Sequence, residues 1–287
     1  MIADCGLGIA DLEFTEFTEK KTRAAVEARI APLTTEIDRP PADGIAIGSE
    51  WTRQLFDGAF YLSPPKSDEW PSTSLVFVQS KNGNTGAANP ASLGGGSADA
   101  HLIYEGLSRV AADAVLAGAE TIRGGNLVFS VWHPELVALR ASLGLPRHPT
   151  QIIATLRGLN FEGLIFNVPE IPVMLLTVPT CTDLMLTALA DRPWITPIVM
   201  PTSHDLPHAL REIRRRGVRR ISCVGGRSIA GQLLDAGSIS DVYLTTSAKE
   251  GGDPDTPLYR RPIGGTIVVR KHGSGPDAGV TFEQIHL

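Results

Sequence analysis

Three cysteines in 287 residues (Cys5, Cys181 and Cys223) are too few, too scattered and wrong in parity for a disulfide framework or a zinc cage. No C-x-x-C occurs. No run of about 18 uncharged apolar residues is present, so no segment is expected to span a bilayer. The opening MIADCGLGIADLEF puts Asp4 where an export signal needs Lys or Arg, and no such signal is expected. Basic residues are not in excess either: 26 Lys and Arg face 31 Asp and Glu, a net charge of −5. A protein that grips nucleic-acid phosphates normally shows the opposite balance. These absences predict a reduced, cytoplasmic chain with no metal, no membrane and no nucleic-acid partner.

What is present is core material. Hydrophobic residues make up 43% and charged residues 20%, and the length suits two domains or one large α/β domain. Residues 1–70 read as an N-terminal extension without identifiable chemistry, packing on a core it does not define. A helix is expected around Lys21–Ile30, with turns at 39–44 and 63–65. From 71 to 287 strand and helix patterns alternate. Strands are expected at 74–80, 113–118, 151–155, 173–178, 195–200, 220–224 and 241–246. Helices are expected at 101–112, 135–143, 184–190, after Asp205 and after Gly226, and a hairpin at 266–271 and 280–286. Such alternation predicts one mixed, mostly parallel sheet with helices on both faces, and ligands outside the carboxyl ends of its strands.

Three strand ends carry polar, glycine-bearing loops: Ser80-Lys81-Asn82-Gly83, Gly118-Ala119-Glu120-Thr121-Ile122-Arg123, and Gly225-Gly226-Arg227-Ser228. Glycine lets main-chain amides approach a ligand, and a helix N-terminus adds partial positive charge. The Gly225-Gly226 turn can therefore hold a pyrophosphate, although a lone Gly-Gly more simply reads as a strand-to-helix turn that binds nothing. His204 and His208 lack a third metal ligand and read as a solvated helix end. The arginines at 214–216, 219 and 220 read as a helix terminus suited to the dipole. Cys223 reads as an inert core thiol and residues 250–255 as a surface loop. Asp99, His101 and Glu105 open a helix near the strand ends. One of them could donate a proton, but ordinary helix-start residues are the simpler reading.

The order strand–S-x-D-G, strand–G-x-x-T-[VI]-R, strand–E-G-G–helix–L-L-x-x-G resembles the reductase half of the bifunctional deaminase/reductase of riboflavin biosynthesis. The matching segments are Ser80–Gly83, Asp113–Arg123 and Ile221–Thr246. The resemblance implies a dihydrofolate-reductase-like three-layer α/β/α domain, a homodimer, and an NADPH-dependent reductase of the 5-amino-6-(5-phosphoribosylamino)uracil type. Alternatives are reduction of another heterocycle, pterin or dihydrofolate, or a nucleotide binder without turnover. It further implies cofactor contacts from Gly118, Ala119, Thr121, Thr155, Arg157, Gly225, Gly226, Arg227 and Ser228. Substrate contacts would come from Ser80, Asn82, Gly83 and Val224, with Lys81, Arg109 and Arg123 as candidates for a substrate phosphate. No catalytic side chain is implied, since the cofactor carries the hydride. Three positions depart from the pattern: Asn82 stands for the Asp, Val224 for the Glu, and Gly124-Gly125-Asn126 for an acidic pair. The deaminase's zinc site would need H-x-E together with P-C-x-x-C; no C-x-x-C occurs and seventy N-terminal residues are too few for that domain, so a reductase without that half is expected.

Overall fold

The computed structural model describes residues 9–123, 125–203 and 205–287. The first elements are α1 (Ile9–Glu27), β1 (Thr34–Asp38), β2 (Ile45–Ile47), α2 (Glu50–Phe56), β3 (Phe60–Leu62) and β4 (Ser72–Gln79). A π-helix, Ala98–Leu107, then runs into α3 (Ser108–Val110), β5 (Ala114–Gly118), α4 (Ala119–Ile122), α5 (Pro134–Ser142), β6 (Thr150–Ala154) and α6 (Leu164–Asn167). There follow β7 (Val173–Thr177), α7 (Pro179–Ala190), β8 (Ile195–Val199), α8 (Leu206–Arg215), β9 (Arg220–Gly225) and α9 (Arg227–Asp235). The chain closes with β10 (Ile239–Thr246), β11 (Thr266–His272) and β12 (Thr281–His286).

Ten strands form one sheet in the order β1-β11-β12-β10-β4-β9-β5-β6-β7-β8. The seven from β10 to β8 are parallel, and β12, β11 and β1 add an antiparallel edge. Strand side chains alternate between two faces. Val115 and Ala117 of β5 join a cluster with Leu102, Leu107, Leu136 and Met185. Ala114 and Leu116 join one with Leu210, Ile213, Ala230 and Leu233. Helices therefore cover both faces, and the expected three-layer α/β/α architecture is present. Among the described residues no helix is long and apolar enough to cross a membrane.

Strand and helix positions follow the sequence pattern closely from 72 onward. Asp205 caps α8 through the His208 amide at 3.2 Å, and Glu212 pairs with Arg215 and Arg216 on that helix; His204 lies outside the described residues. The departures come from tertiary packing. Helix α7 starts at Pro179, five residues before the expected 184, because Cys181 and Met185 are both buried. The 98–107 helix is π-wound where an ordinary helix was expected. It breaks helical geometry at Gly106, where an added Cβ would stand 2.8 Å from the His101 carbonyl oxygen and 2.9 Å from Leu136.

The N-terminal segment differs most. The helix expected at 21–30 runs instead over 9–27, taking in the segment where acids, threonines and phenylalanines alternate. Its partners fix it to the body of the protein: Phe17 meets Trp132 edge-on at 5.5 Å, and Lys21 donates to Glu105 at 2.6 Å. Strand β1 joins the main sheet beside β11, and the buried Lys271 of β11 donates to Thr35 Oγ1 at 2.6 Å and to the Asp57 carbonyl at 2.8 Å. Phe56, Phe60 and Leu33 belong to the main core cluster. The first seventy residues thus help to define the core, contrary to expectation.

Burial opposes ionisation of Glu105, but His101 and Lys21 outweigh it and hold the carboxyl at about 2. A carboxylate depressed in the folded state stabilises fully above its unfolded value and loses that contribution as pH falls through its folded one. Glu105→Gln is therefore expected to lower unfolding free energy by about 1–2 kcal/mol at pH 7 in urea titrations. The difference from wild type should vanish as pH falls from about 4.5 towards 2.

Candidate active site

Because β9 lies between β4 and β5, the ends of three parallel strands meet on one rim: Gln79, Gly225 and Gly118. The turns after Gly118 and Gly225 are in direct contact. A Cβ on Gly226 would lie 3.6 Å from both the Cα and the N of Gly118, and one on Gly225 would lie 2.7 Å from Thr121 Oγ1. Gly226 has φ +89°, which a side chain would resist. No side chain caps the start of α9 or of α4, so the main-chain amides at these adjoining turns are left uncapped by the protein's own side chains.

Beside this junction lies a cleft of about 730 Å³. Arg123, Asn126, Arg157 and Asn160 supply its polar lining, and Leu159, Phe166, Leu184 and Met185 an apolar one. The apolar wall was not read from the sequence: Leu184 is 79% exposed and Met185 buried, a contrast that becomes visible only once α7 is placed against the sheet. Gly125 lines the same cleft, whereas Gly124 lies outside the described residues. A second cleft, of about 670 Å³, lies on α9 between Arg227, Ser228, Gln232 and the loop carrying Tyr259 and Arg260.

The residues expected to bind cofactor are thus divided. Gly118, Ala119, Thr121, Gly225 and Gly226 cluster at the junction, and Arg157 lines the first cleft. Arg227 and Ser228 open onto the second. Thr155 is buried, with its hydroxyl donating to the Gly158 carbonyl at 3.0 Å and accepting from the Arg157 amide at 3.4 Å. It shapes the turn that presents Arg157.

The residues expected to meet substrate share the rim but are committed to holding loops. Ser80 is buried, with its hydroxyl 2.6 Å from Asn82 Oδ1 and 2.8 Å from the Gly251 carbonyl oxygen. Asn82 Oδ1 also accepts from the Gly251 amide at 3.4 Å. Gly83, at φ +83°, forms the turn. Val224 sits at a break in the β5–β9 register, where Leu116 pairs with Cys223 but Ala117 with Gly225. Such bulges re-aim a side chain, and here the valine enters the main core cluster. Arg109 is removed from the candidates for phosphate. It is 1% exposed, with its guanidinium 4.1 Å from the Tyr104 ring centre. Arg123 pairs with Glu120 at 2.6 Å at the mouth of the first cleft. Burial pushes the Cys223 thiol up to about 12, in keeping with an inert thiol.

One residue gains weight. Burial raises the Asp99 carboxyl to about 6, against a hydrogen bond from Thr245 that lowers it, and the neighbouring Asp277 raises it further. The sequence placed Asp99 at a helix start, and only the structure brings it to the end of β10.

A family profile for the RibD C-terminal domain matches residues 76–265. The chain belongs to that family. The RibD C-terminal domain is the reductase half of a riboflavin-biosynthesis enzyme, so the resemblance read from the three strand ends holds. No curated protein matches. Among solved structures, a pyrimidine reductase-like protein from Corynebacterium diphtheriae superposes with TM-score 0.56 at 23% identity, over 75% of this chain and 91% of that one. RibD from Acinetobacter baumannii gives 0.58 at 17% identity, over 76% of this chain and 58% of its own. The riboflavin biosynthesis reductase Rib7 of Saccharomyces cerevisiae gives 0.53 at 13%, over 77% and 92%. At these identities the likenesses speak to the fold.

The Gly225–Thr121 contact makes a direct test of the junction. Gly225→Ala should destabilise the RibD C-terminal domain by about 1–3 kcal/mol through overpacking. Adding Thr121→Ala removes the opposing atoms and should recover much of that loss in urea denaturation.

Proposed function

We propose that this protein is an NADPH-dependent reductase of the 5-amino-6-(5-phosphoribosylamino)uracil reductase type, acting in riboflavin biosynthesis as a cytoplasmic homodimer. Membership of the RibD C-terminal domain family supports reductase chemistry. The observation that carries the cofactor is the junction of Gly118 with Gly226, where a Cβ on either residue would come within 3.7 Å of the other's backbone. Two free-amide turns in contact, flanked by a cleft with an apolar wall and two arginines, fit a dinucleotide: diphosphate on the amides, adenosine in the cleft.

When bound, NADPH supplies the hydride that reduces the phosphoribosylamino side chain to its ribityl form. The chain's own work is positional. Gly118, Ala119, Thr121, Gly225 and Gly226 bring main-chain amides to the diphosphate, with Arg227 and Ser228 at the start of α9. Thr155 holds the turn that carries Arg157, whose guanidinium suits a ribose 2′-phosphate through charge-assisted hydrogen bonds. The turn held by Ser80, Asn82 and Gly83 bounds the opposite side, where the substrate ring would lie, with Val224 packed beneath it in the core. Orienting the two carbons and excluding water are together a large part of such catalysis.

NADPH fluorescence on titration with protein tests the reading. Wild type should enhance it, and Gly226→Asp should abolish the enhancement by placing a carboxylate against the diphosphate. Arg157→Ala should weaken NADPH about tenfold while leaving NADH nearly unchanged. Equal losses for both cofactors would remove Arg157 from the 2′-phosphate.

A further inference from the structure

The second cleft, of about 670 Å³, shares no lining residue with the cleft assigned to the cofactor. Its volume falls within the roughly 300–1,000 Å³ of small-molecule sites. One wall is a single face of α9, where Arg227, Gly231 and Asp235 follow one another at turn spacing with Ser228 and Gln232 beside them. From Arg227 to Asp235 that face is about 12 Å long. The opposite face of α9 packs Ala230 and Leu233 into the core. The other wall is the loop that carries Asp255 and Tyr259.

Gly231 sits in the interior of α9, where glycine weakens a helix relative to alanine. Close neighbours or a positive φ require the glycines at 106, 225 and 226. Nothing of the kind holds at 231: a Cβ there would meet nothing within 4 Å, and φ is not positive. What the missing side chain leaves is a bare floor in the middle of the cleft. Asp235 closes one end, accepting from the Tyr259 hydroxyl, from Arg260 at 2.8 Å and from Arg261 at 2.7 Å. That clamp sets the Tyr259 ring against the cleft. The remaining polar groups are unclaimed. Among the described residues the side chains of Arg227, Ser228, Gln232 and Asp255 form no hydrogen bond or ion pair. Asp255 is held at φ +56°, a left-handed conformation of the kind found at ligand clamps.

We propose that this cleft binds a nucleoside 5′-monophosphate. Arg227 and Ser228 donate to the phosphate, the arginine through charge-assisted hydrogen bonds. The Asp255 carboxylate, which only accepts, takes the two ribose hydroxyls. The flat base lies over the bare backbone at Gly231, between the Tyr259 ring and Gln232, whose amide both donates and accepts. A free phosphate would leave the floor and the tyrosine wall unused and would face the Asp255 carboxylate with nothing to offer it. Arg227 and Ser228 also stand at the start of α9 beside the diphosphate turn, so a nucleotide held there opposes NADPH. That regulatory half rests on the reductase reading above, whereas the site itself does not.

Titration calorimetry with AMP, GMP, CMP and UMP, each added alone to the full chain, tests the site. At least one should bind wild type. Gly231→Leu sends a side chain into the open floor and should weaken that nucleotide about tenfold or more, while NADPH fluorescence enhancement is retained. Asp255→Asn keeps a residue that tolerates the left-handed backbone. It should weaken the ribonucleotide about fivefold and leave the 2′,3′-dideoxy analogue unchanged. In wild type the nucleotide should raise the NADPH concentration needed for half-maximal enhancement about three- to tenfold, and in Gly231→Leu it should not. No binding of any of the four, equal binding in Gly231→Leu, or equal loss of both analogues in Asp255→Asn would overturn the site and leave the reductase reading standing. Nucleotide binding with no effect on NADPH would overturn the regulatory half. Nucleotide binding in a protein that never enhances NADPH fluorescence would count against the reductase reading and not against the site.

Discussion

The contact between the turn after Gly118 and the turn after Gly225 is the constraint on which the site depends. These turns lie more than a hundred residues apart in the chain, and β9 must insert between β4 and β5 for them to meet. Once it does, there is no room for a side chain on Gly225, whose Cβ would lie 2.7 Å from Thr121. The positive φ at Gly226 then turns the chain sharply from strand into α9. Sheet order, two glycines and one threonine together leave two sets of amides uncapped at the same place. Moving any one of them would separate or cover those amides, so fold and ligand site are here a single arrangement.

The N-terminal seventy residues act on this arrangement from a distance. Lys21 reaches the same helix that carries Asp99, six residues further along, and β1 closes the antiparallel edge through the buried Lys271. The helix itself is distorted at Gly106 to admit Leu136. Its first turn is fixed separately by the Asp277 carboxylate, which comes from the far end of the chain. A segment without chemistry of its own therefore helps to hold the helix on which Asp99 sits.

Much of this was legible in the sequence, and the reasons are local. Asp205 and Pro207 mark the start of α8, Gly217 and Gly237 stop helices, and unbroken apolar runs mark the buried parallel strands. The strand-end loops could be ranked as ligand sites because open α/β sheets bind there. What was not legible depends on contacts between distant segments. Helix α1 starts twelve residues before the expected 21, and its packing against Trp132 and Glu105 becomes visible only in the fold. Arg109, a sensible phosphate ligand by charge, stacks instead on Tyr104. Ser80 and Asn82 look like ligands in a motif, but their oxygens hold the 249–251 loop. Asp99 has the composition of any helix start until β10 places Thr245 beside it.

Two departures from the family pattern, Asn82 and Val224, fall on one side of the junction, while Gly125 and Asn126 line the first cleft on the other. Gly118, Thr121, Gly225 and Gly226 keep the residue types that the close approach demands, and Arg157 remains at the cleft. Asn82 and Val224 have lost charge, and the valine's place in the bulge turns it into the core. Charge removed from two positions around one ring would leave its polar edge without an anionic partner unless another group supplied one. Asp99 reaches the same rim from a helix rather than a strand end, and among the described residues it forms no ion pair. Burial, with Asp277 nearby, raises its carboxyl to about 6 against the hydrogen bond from Thr245.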